Sequence, residues 1–239
     1  IFEKTKSIGI PILAGTVVRA EDKYFNSALL IDKQGEIAAR YDKLHLVPFG
    51  EYIPLKNTFK FLETIVPIGD FSPGRDYTIF RLSEFRGASE HQSIRAPAKF
   101  SVLICFEDTI PEISRGFVRR GADFLVNITN DGWFGRSAAP YQHLSASVFR
   151  AVENRVPVAR SANTGVSCFI DSAGRIISTV RQGNRETFVP GFKSESITVG
   201  RKGSLYCRMG DIFVFGCLAI IIFCGIIGNS PAKRDPADC

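Results

Sequence analysis

A regular alternation of apolar strands and amphipathic helices between residues 100 and 170 constrains this chain more than any other feature. Phe100 to Cys105 is an apolar run of strand length. Pro111 to Gly121 predicts a helix with proline in its first turn, where the missing N–H is harmless. Phe124 to Ile128 is the next strand. From Pro140 to Asn154 the apolar residues Leu144, Val148, Ala151 and Val152 recur at helical spacing. Val156 to Ser161 and Ser167 to Ile170 read as strands, and Asp171-Ser172-Ala173-Gly174 as a hairpin turn into Ile176. Strands interleaved with helices bury their apolar faces in a layered α/β domain. Upstream, Pro11 to Val18 and Phe25 to Ile31 read as strands, and Asp32 to Gly35 as a turn before a short strand at Ile37. Residues 48 to 80 are rich in proline and glycine, a long irregular segment of the kind that is often functional. Residues 85 to 98 are polar and predict a surface loop.

The end of the chain breaks this pattern. Ile212 to Ile227 is sixteen apolar or small residues without a charge, between Asp211 and Asn229. A bilayer core takes about 20 residues, so the run is slightly short. Ile220-Ile221-Ile222-Phe223 covers every face of a helix, which favours lipid over a one-sided packing surface. The expectation is a transmembrane helix over about residues 212–228, with a buried core helix as the alternative. Arg201, Lys202 and Arg208 before it, and Lys233 and Arg234 after it, leave its orientation open. The expected organisation is a catalytic domain over residues 1–206 and a C-terminal segment over 207–239.

A length of 239 residues supports one large core plus such an appendage. The net charge of +6 comes from scattered residues such as Arg115, Arg119, Arg120, Arg150 and Arg155. Scattered basic residues suit a solvated face or an anionic phospholipid surface. No nucleic-acid-binding motif is present, so no nucleic-acid partner is expected. The six cysteines form no CxxC pair and no Cys/His cluster with zinc spacing, which argues against a disulfide framework, a metal site and any cofactor. The chain begins at Ile1 rather than Met and is expected to be a fragment or a processed chain.

Cys105 is the cysteine whose context suggests reactivity. It ends an apolar strand just before a helix, at the carboxyl edge where α/β sheets place ligands. A thiol nucleophile needs a nearby cation, and Lys43 can supply it and later donate to a tetrahedral oxyanion. A carboxylate must act as general base toward the thiol. His45 and His143 are candidates for such work, although a structural hydrogen bond is the commoner role for both. Trp133 and Phe134, on a loop between Asp131 and Gly135, read as pocket walls or core plugs. Phe59, Phe61, Leu62, Ile65 and Phe71, within the irregular segment, could form a lid that faces lipid.

Several segments together resemble the apolipoprotein N-acyltransferases of the nitrilase, or carbon–nitrogen hydrolase, superfamily. They are Lys43 to Tyr52 (KLHLVPFGEY), Gly69 to Gly74, Ile104 to Glu107, Asn130 to Gly135 (NDGWFG), Gln142 to Leu144, Arg150 to Arg155 and Asn163 to Ser167. The resemblance implies an α-β-β-α sandwich, incomplete at its N-terminus, on the periplasmic side of a bacterial inner membrane. It implies that a phospholipid, typically phosphatidylethanolamine, acylates Cys105 as a thioester. The acyl chain then passes to the α-amino group of an apolipoprotein's N-terminal diacylglyceryl-cysteine. In these terms Cys105 is the nucleophile, Lys43 the catalytic lysine and Glu51 a supporting carboxylate. Glu107, Phe106, Trp133 and Phe134 neighbour the site or bind substrate.

One family feature has no match. The general-base glutamate follows an early strand in the family, whereas here ten residues precede Pro11 and Glu3 lies in a charged, helical stretch. The expectation is that this base is absent from the chain, that the chain alone does not turn over, and that one sheet keeps an unpaired edge with poor solubility. Two other readings stand beside acyl transfer. One is a soluble amidase of the same superfamily, with water as acceptor. The other is a decayed, membrane-anchored domain that binds lipid or lipoprotein.

Overall fold

The computed structural model describes residues 1–54, 71–82, 98–200 and 203–228. The lid residues Phe59, Phe61, Leu62 and Ile65 and most of the polar segment 85–98 lie outside them.

A short helix, α1 (Phe2–Ile8), precedes an antiparallel sheet of three strands, β1 (Ile12–Ala20), β2 (Lys23–Ile31) and β3 (Ile37–Asp42). The β2–β3 turn closes at Gly35, whose φ of 80° lies in the left-handed region that favours glycine. A Cβ there would also stand 2.9 Å from the carbonyl of Phe2, so the glycine lets α1 rest on the turn. Among the described residues β1 is an edge strand, with Gly15, Thr16 and Val17 exposed.

The second sheet has six strands in chain order, β4 (Phe80–Arg81), β5 (Lys99–Ile104), β6 (Phe124–Asn130), β7 (Val158–Asn163), β8 (Cys168–Ile170) and β9 (Ile176–Thr179). β5, β6 and β7 run parallel; the flanking strands pair antiparallel. Parallel neighbours need crossover connections. These are α2 (Pro111–Arg119) and α3 (Ala139–Asn154). The period-2 alternation of the strands separates the two faces of this sheet. Arg160 of β7 bonds to Ser147 of α3, so its face meets the helices. Ile128 of β6, on the other face, lies 3.2 Å from where a Cβ at Gly15 of β1 would sit, so that face meets the first sheet. The layers are helices, sheet, sheet.

The core runs through all of them. Phe80, Phe100 and Phe124 stack across β4, β5 and β6 at centroid separations of 5.0 and 5.1 Å. Phe117 of α2 is fully buried and meets Tyr41 and Tyr77 edge-on. Burying a side chain of that size stabilises the fold by about 2–3 kcal/mol.

Beyond the sheets, Ser204 caps a short helix, α4 (Leu205–Met209), by accepting from the backbone N–H of Cys207. The Ser204 hydroxyl also donates to the Glu153 carbonyl at the end of α3. Arg115 of α2 donates to the carbonyls of Cys207 and Arg208, and Cys207 belongs to the core. The next helix, α5 (Ile212–Gly228), projects apolar side chains such as Phe213, Phe215, Ile221 and Phe223 into the open. It has 17 residues. No helix among the described residues is long and apolar enough to cross a membrane.

Candidate active site

The three parallel strands end on one edge of the sheet. β5 runs into a 3-10 helix, Cys105–Thr109; β6 runs into another, Asp131–Phe134; and β7 is followed by Thr164 and Gly165. Cys105, Phe106, Glu107, Trp133 and Phe134 are thereby gathered by topology alone.

Cys105 opens its turn with φ 52°, a left-handed conformation that costs a non-glycine residue about 1–2 kcal/mol. Two contacts hold it there. Its carbonyl accepts from Asn127 Nδ2 at 3.2 Å, and the preceding Ile104 N–H donates to Glu107 Oε2 at 2.8 Å. The residue is a free, partly exposed thiol at the strand end.

Lys43 follows β3 and its side chain is buried. A buried ammonium is costly unless paired and hydrogen-bonded. Its Nζ donates to Glu51 Oε2 at 2.7 Å. The same oxygen accepts from the N–H of Val47 at 2.8 Å, and Oε1 accepts from Asn26 Nδ2 at 2.7 Å. Asn26 also fixes the lysine's backbone, its carbonyl accepting from Lys43 N–H at 2.9 Å. Glu51 thus has both oxygens engaged, a geometry suited to positioning and charge compensation.

Glu107 joins the two halves. It is fully buried, and its Oε1 accepts from the Tyr41 hydroxyl at 2.8 Å, from Leu44 N–H at 2.7 Å and from His45 N–H at 3.2 Å. With Oε2 on Ile104, this one carboxylate staples the cysteine turn to the backbone that follows Lys43. Burial pushes its pKa above the ordinary carboxylate value. The donors from Ile104, Tyr41 and His45, and the charge of Lys43, oppose that rise. Burial and the neighbouring Glu107 likewise push the Tyr41 hydroxyl well up, so it stays a neutral donor.

A second polar network lies beneath the cysteine turn. Arg160, from β7, donates from Nη1 to Asp108 Oδ2 at 2.7 Å, to Asn127 Oδ1 at 2.9 Å and to Ser147 Oγ at 2.9 Å. Its Nη2 reaches Asp131 Oδ2 at 3.2 Å. His143 of α3 sits between the two aspartates, Nδ1 2.8 Å from Asp131 Oδ1 and Nε2 2.8 Å from Asp108 Oδ1. Burial alone would lower the imidazole pKa; the hydrogen bonds to Asp108 and Asp131 outweigh it and push the value up to about 9. Burial would raise Asp131, but His143 and Arg160 hold it below the usual carboxylate range.

The structure therefore brings together Lys43 and Glu51 in direct contact, and Cys105 and Glu107 in one turn. The side chain of His45 is exposed; its backbone alone serves the site. His143 has the structural hydrogen bonds that its residue type suggests. Trp133 is 83 % exposed, with Phe106 and Phe134 less so, and Phe134 stands edge-on to the His143 ring at 6.2 Å. A cavity of about 230 Å³ lined by Val126, Ala159, Ser161 and Phe169, among others, includes none of Cys105, Lys43 or Glu51. Among the described residues no cluster of His, Cys, Asp and Glu could hold a metal ion. Sequence reasoning missed Asn26, Tyr41, Asp108, Asn127, Asp131 and Arg160. The available signal was Arg160, a charge in the middle of a strand.

A helix-backed sheet thus carries a cysteine on a left-handed turn, and Glu107 ties that turn to the backbone following the lysine of a buried lysine–glutamate pair. The family model for carbon-nitrogen hydrolase matches residues 1–202, and the chain belongs to that family. Within it, the chain is similar to the apolipoprotein N-acyltransferase of Geobacter metallireducens, 46% identical over 198 residues that make up 82% of this chain and 34% of that protein. It is also similar to the apolipoprotein N-acyltransferase of Rhizobium rhizogenes, 40% identical, covering 71% of this chain and 31% of the relative. The chain spans about a third of the length of these curated relatives. The fold is shared with the amidase of Nesterenkonia sp. AN1 (TM-score 0.56, 19% identity, 91% of this chain and 72% of that one). It is shared too with Saccharomyces cerevisiae Nit3 (TM-score 0.52, 19% identity, 75% and 58%).

Proposed function

We propose that this chain is the catalytic part of an enzyme that N-acylates the N-terminal diacylglyceryl-cysteine of bacterial apolipoproteins. The acyl donor is a phospholipid, typically phosphatidylethanolamine, and the intermediate is a thioester on Cys105. The observation that carries this reading is the joining of the Cys105 turn to the Lys43 segment through Glu107, in a chain similar to proteins of that name. Residues 1–206 form the catalytic unit, and α5 seats it at the periplasmic face of the inner membrane.

In the first step the Cys105 thiolate attacks the ester carbonyl of the phospholipid. Lys43 donates to the oxyanion. The tetrahedral intermediate collapses as the ester C–O bond breaks, and the departing lysophospholipid oxygen takes up a proton. In the second step the free amine of the apolipoprotein attacks the thioester carbonyl. The amide bond forms, the C–S bond breaks and the amine gives up a proton. The base that moves these protons is not Glu51, whose oxygens are taken by Lys43, Val47 and Asn26. Phe106, Trp133 and Phe134 meet the acyl chains and keep water from the thioester, a role their exposure at the same edge supports.

The test is thioester trapping. The full-length protein is incubated with phosphatidylethanolamine labelled in its acyl chain, without apolipoprotein. A hydroxylamine-labile label is expected, and none in Cys105→Ala. A folded protein that takes no label, yet releases ammonia from small amides, would replace this reading with the amidase one.

A further inference from the structure

We propose that His143 is a positioning residue that clasps the nucleophile turn to the Trp133 loop, so that the two sides of the site move as one. The geometry is specific. Asp108 belongs to the turn opened by Cys105, and Asp131 opens the turn that carries Trp133 and Phe134. The two turns follow different strands, and His143 reaches both carboxylates at 2.8 Å from a third element, α3. A histidine can donate from both ring nitrogens only as imidazolium. The groups facing it are Asp108 from the first turn, Asp131 from the second and Arg160 from β7, with the Phe134 ring edge-on. Two carboxylates, one guanidinium and one imidazolium make a buried set with no net charge.

Loss of the imidazolium proton leaves one aspartate without its donor and the set with an uncompensated negative charge, a costly state in a buried site. Asp131 is further confined from the far side: a Cβ on Gly165 would lie 2.0 Å from its Oδ2. Without the imidazolium its donors are the Thr129 hydroxyl on Oδ1 at 3.1 Å and Arg160 on Oδ2 at 3.2 Å. The clasp is therefore closed below a pH of about 9 and open above it. Its opening loosens the Trp133 loop, which is then tied to the Cys105 turn, among the described residues, only by Arg160, through a 3.2 Å bond to Asp131 Oδ2 and a 2.7 Å bond to Asp108 Oδ2. Arg160 also holds the Cys105 carbonyl through Asn127, so the nucleophile keeps the firmer anchorage of the two.

The measurement needs no turnover. Trp133 is the single tryptophan of the chain, so its fluorescence anisotropy reports the loop directly. The full chain in detergent micelles carries Cys105→Ala, which removes quenching by the thiol. The expected result is a fall in Trp133 anisotropy with a midpoint at about pH 9, coincident with a histidine ring titration followed by 15N NMR. In His143→Gln, whose amide can donate to only one of the two carboxylates, the low anisotropy is expected already at pH 7, with no step above it. Constant anisotropy from pH 7 to 10, or the same step in a folded His143→Gln, overturns the clasp. Should His143→Gln fail to fold, the coincidence of the two titrations in the histidine-bearing chain decides. The clasp matters for catalysis only if Cys105 is the nucleophile proposed above. Its failure here would leave that proposal standing, just as a negative trapping result would leave the clasp standing.

Discussion

Glu107 receives four hydrogen bonds and gives none. Exchanging it for glutamine keeps the shape but turns one acceptor oxygen into an NH₂ group that faces donors. Leaving buried donors unsatisfied costs roughly 1–3 kcal/mol each, more where a charge was involved. Glu107→Gln is therefore expected to lower stability by about 3 kcal/mol and to slow modification of Cys105 by iodoacetamide, since the cysteine turn and the Lys43 segment lose their shared anchor. Thermal unfolding and mass-spectrometric mapping of the alkylated site check both; an unchanged melting temperature would show that the staple is dispensable. The legibility of the site follows the same division. Cys105, Lys43 and Glu51 can be singled out in the sequence because each stands in a short run with a recognisable pattern. Asn26, Asn127 and Arg160 cannot, because their roles come from contacts with partners 13 to 52 residues away in the chain. Nothing in local sequence says that β6 and β7 will lie side by side with Asn127 opposite Arg160.

At the scale of elements, the parallel core β5–α2–β6–α3–β7 was legible in the sequence to within two residues at most boundaries, because both hydrophobic periods are strong there. The two-residue strand β4 and the single-turn helix α4 were not, being too short to show a period. α4 exists through tertiary contacts: the Ser204 cap, Arg115 on its carbonyls and the burial of Cys207. The same dependence governs the loop after β7. Gly165 does not have a positive φ; its constraint is proximity, with Asp131 held from its other sides by His143, Arg160 and Thr129. Forcing a methyl group into a packed site typically costs 1–3 kcal/mol. Gly165→Ala is expected at the upper end, about 3 kcal/mol, because the atom it meets is a clamped carboxylate rather than a flexible side-chain tip. Denaturant unfolding measures this directly. A cost below about 1 kcal/mol would mean that Asp131 can yield, and that the network beneath the cysteine turn is softer than its geometry implies.

For the whole molecule the question is what covers α5. Its 17 residues span roughly 26 Å at about 1.5 Å each, somewhat under the ~30 Å of a bilayer's hydrocarbon core. A contiguous apolar surface of this kind is not left to water. The expectation is that the full chain associates with phospholipid vesicles through this helix. A net charge of +6 offers a second route to anionic lipid, so charge and apolar insertion must be separated. Vesicles of zwitterionic phosphatidylcholine and phosphatidylethanolamine in about 0.5 M salt remove the first route, since the screening length there falls to roughly 4 Å. Under those conditions the chain is expected to float with the vesicles in a density gradient. Leu218→Glu together with Ile221→Glu places two carboxylates mid-helix, at a cost of roughly 3 kcal/mol each in a membrane, and the doubly substituted chain is expected to stay at the bottom. Flotation that survives both substitutions would transfer membrane attachment from α5 to the exposed aromatic edge around Trp133, and Trp133→Ser would then be the variant that fails to float.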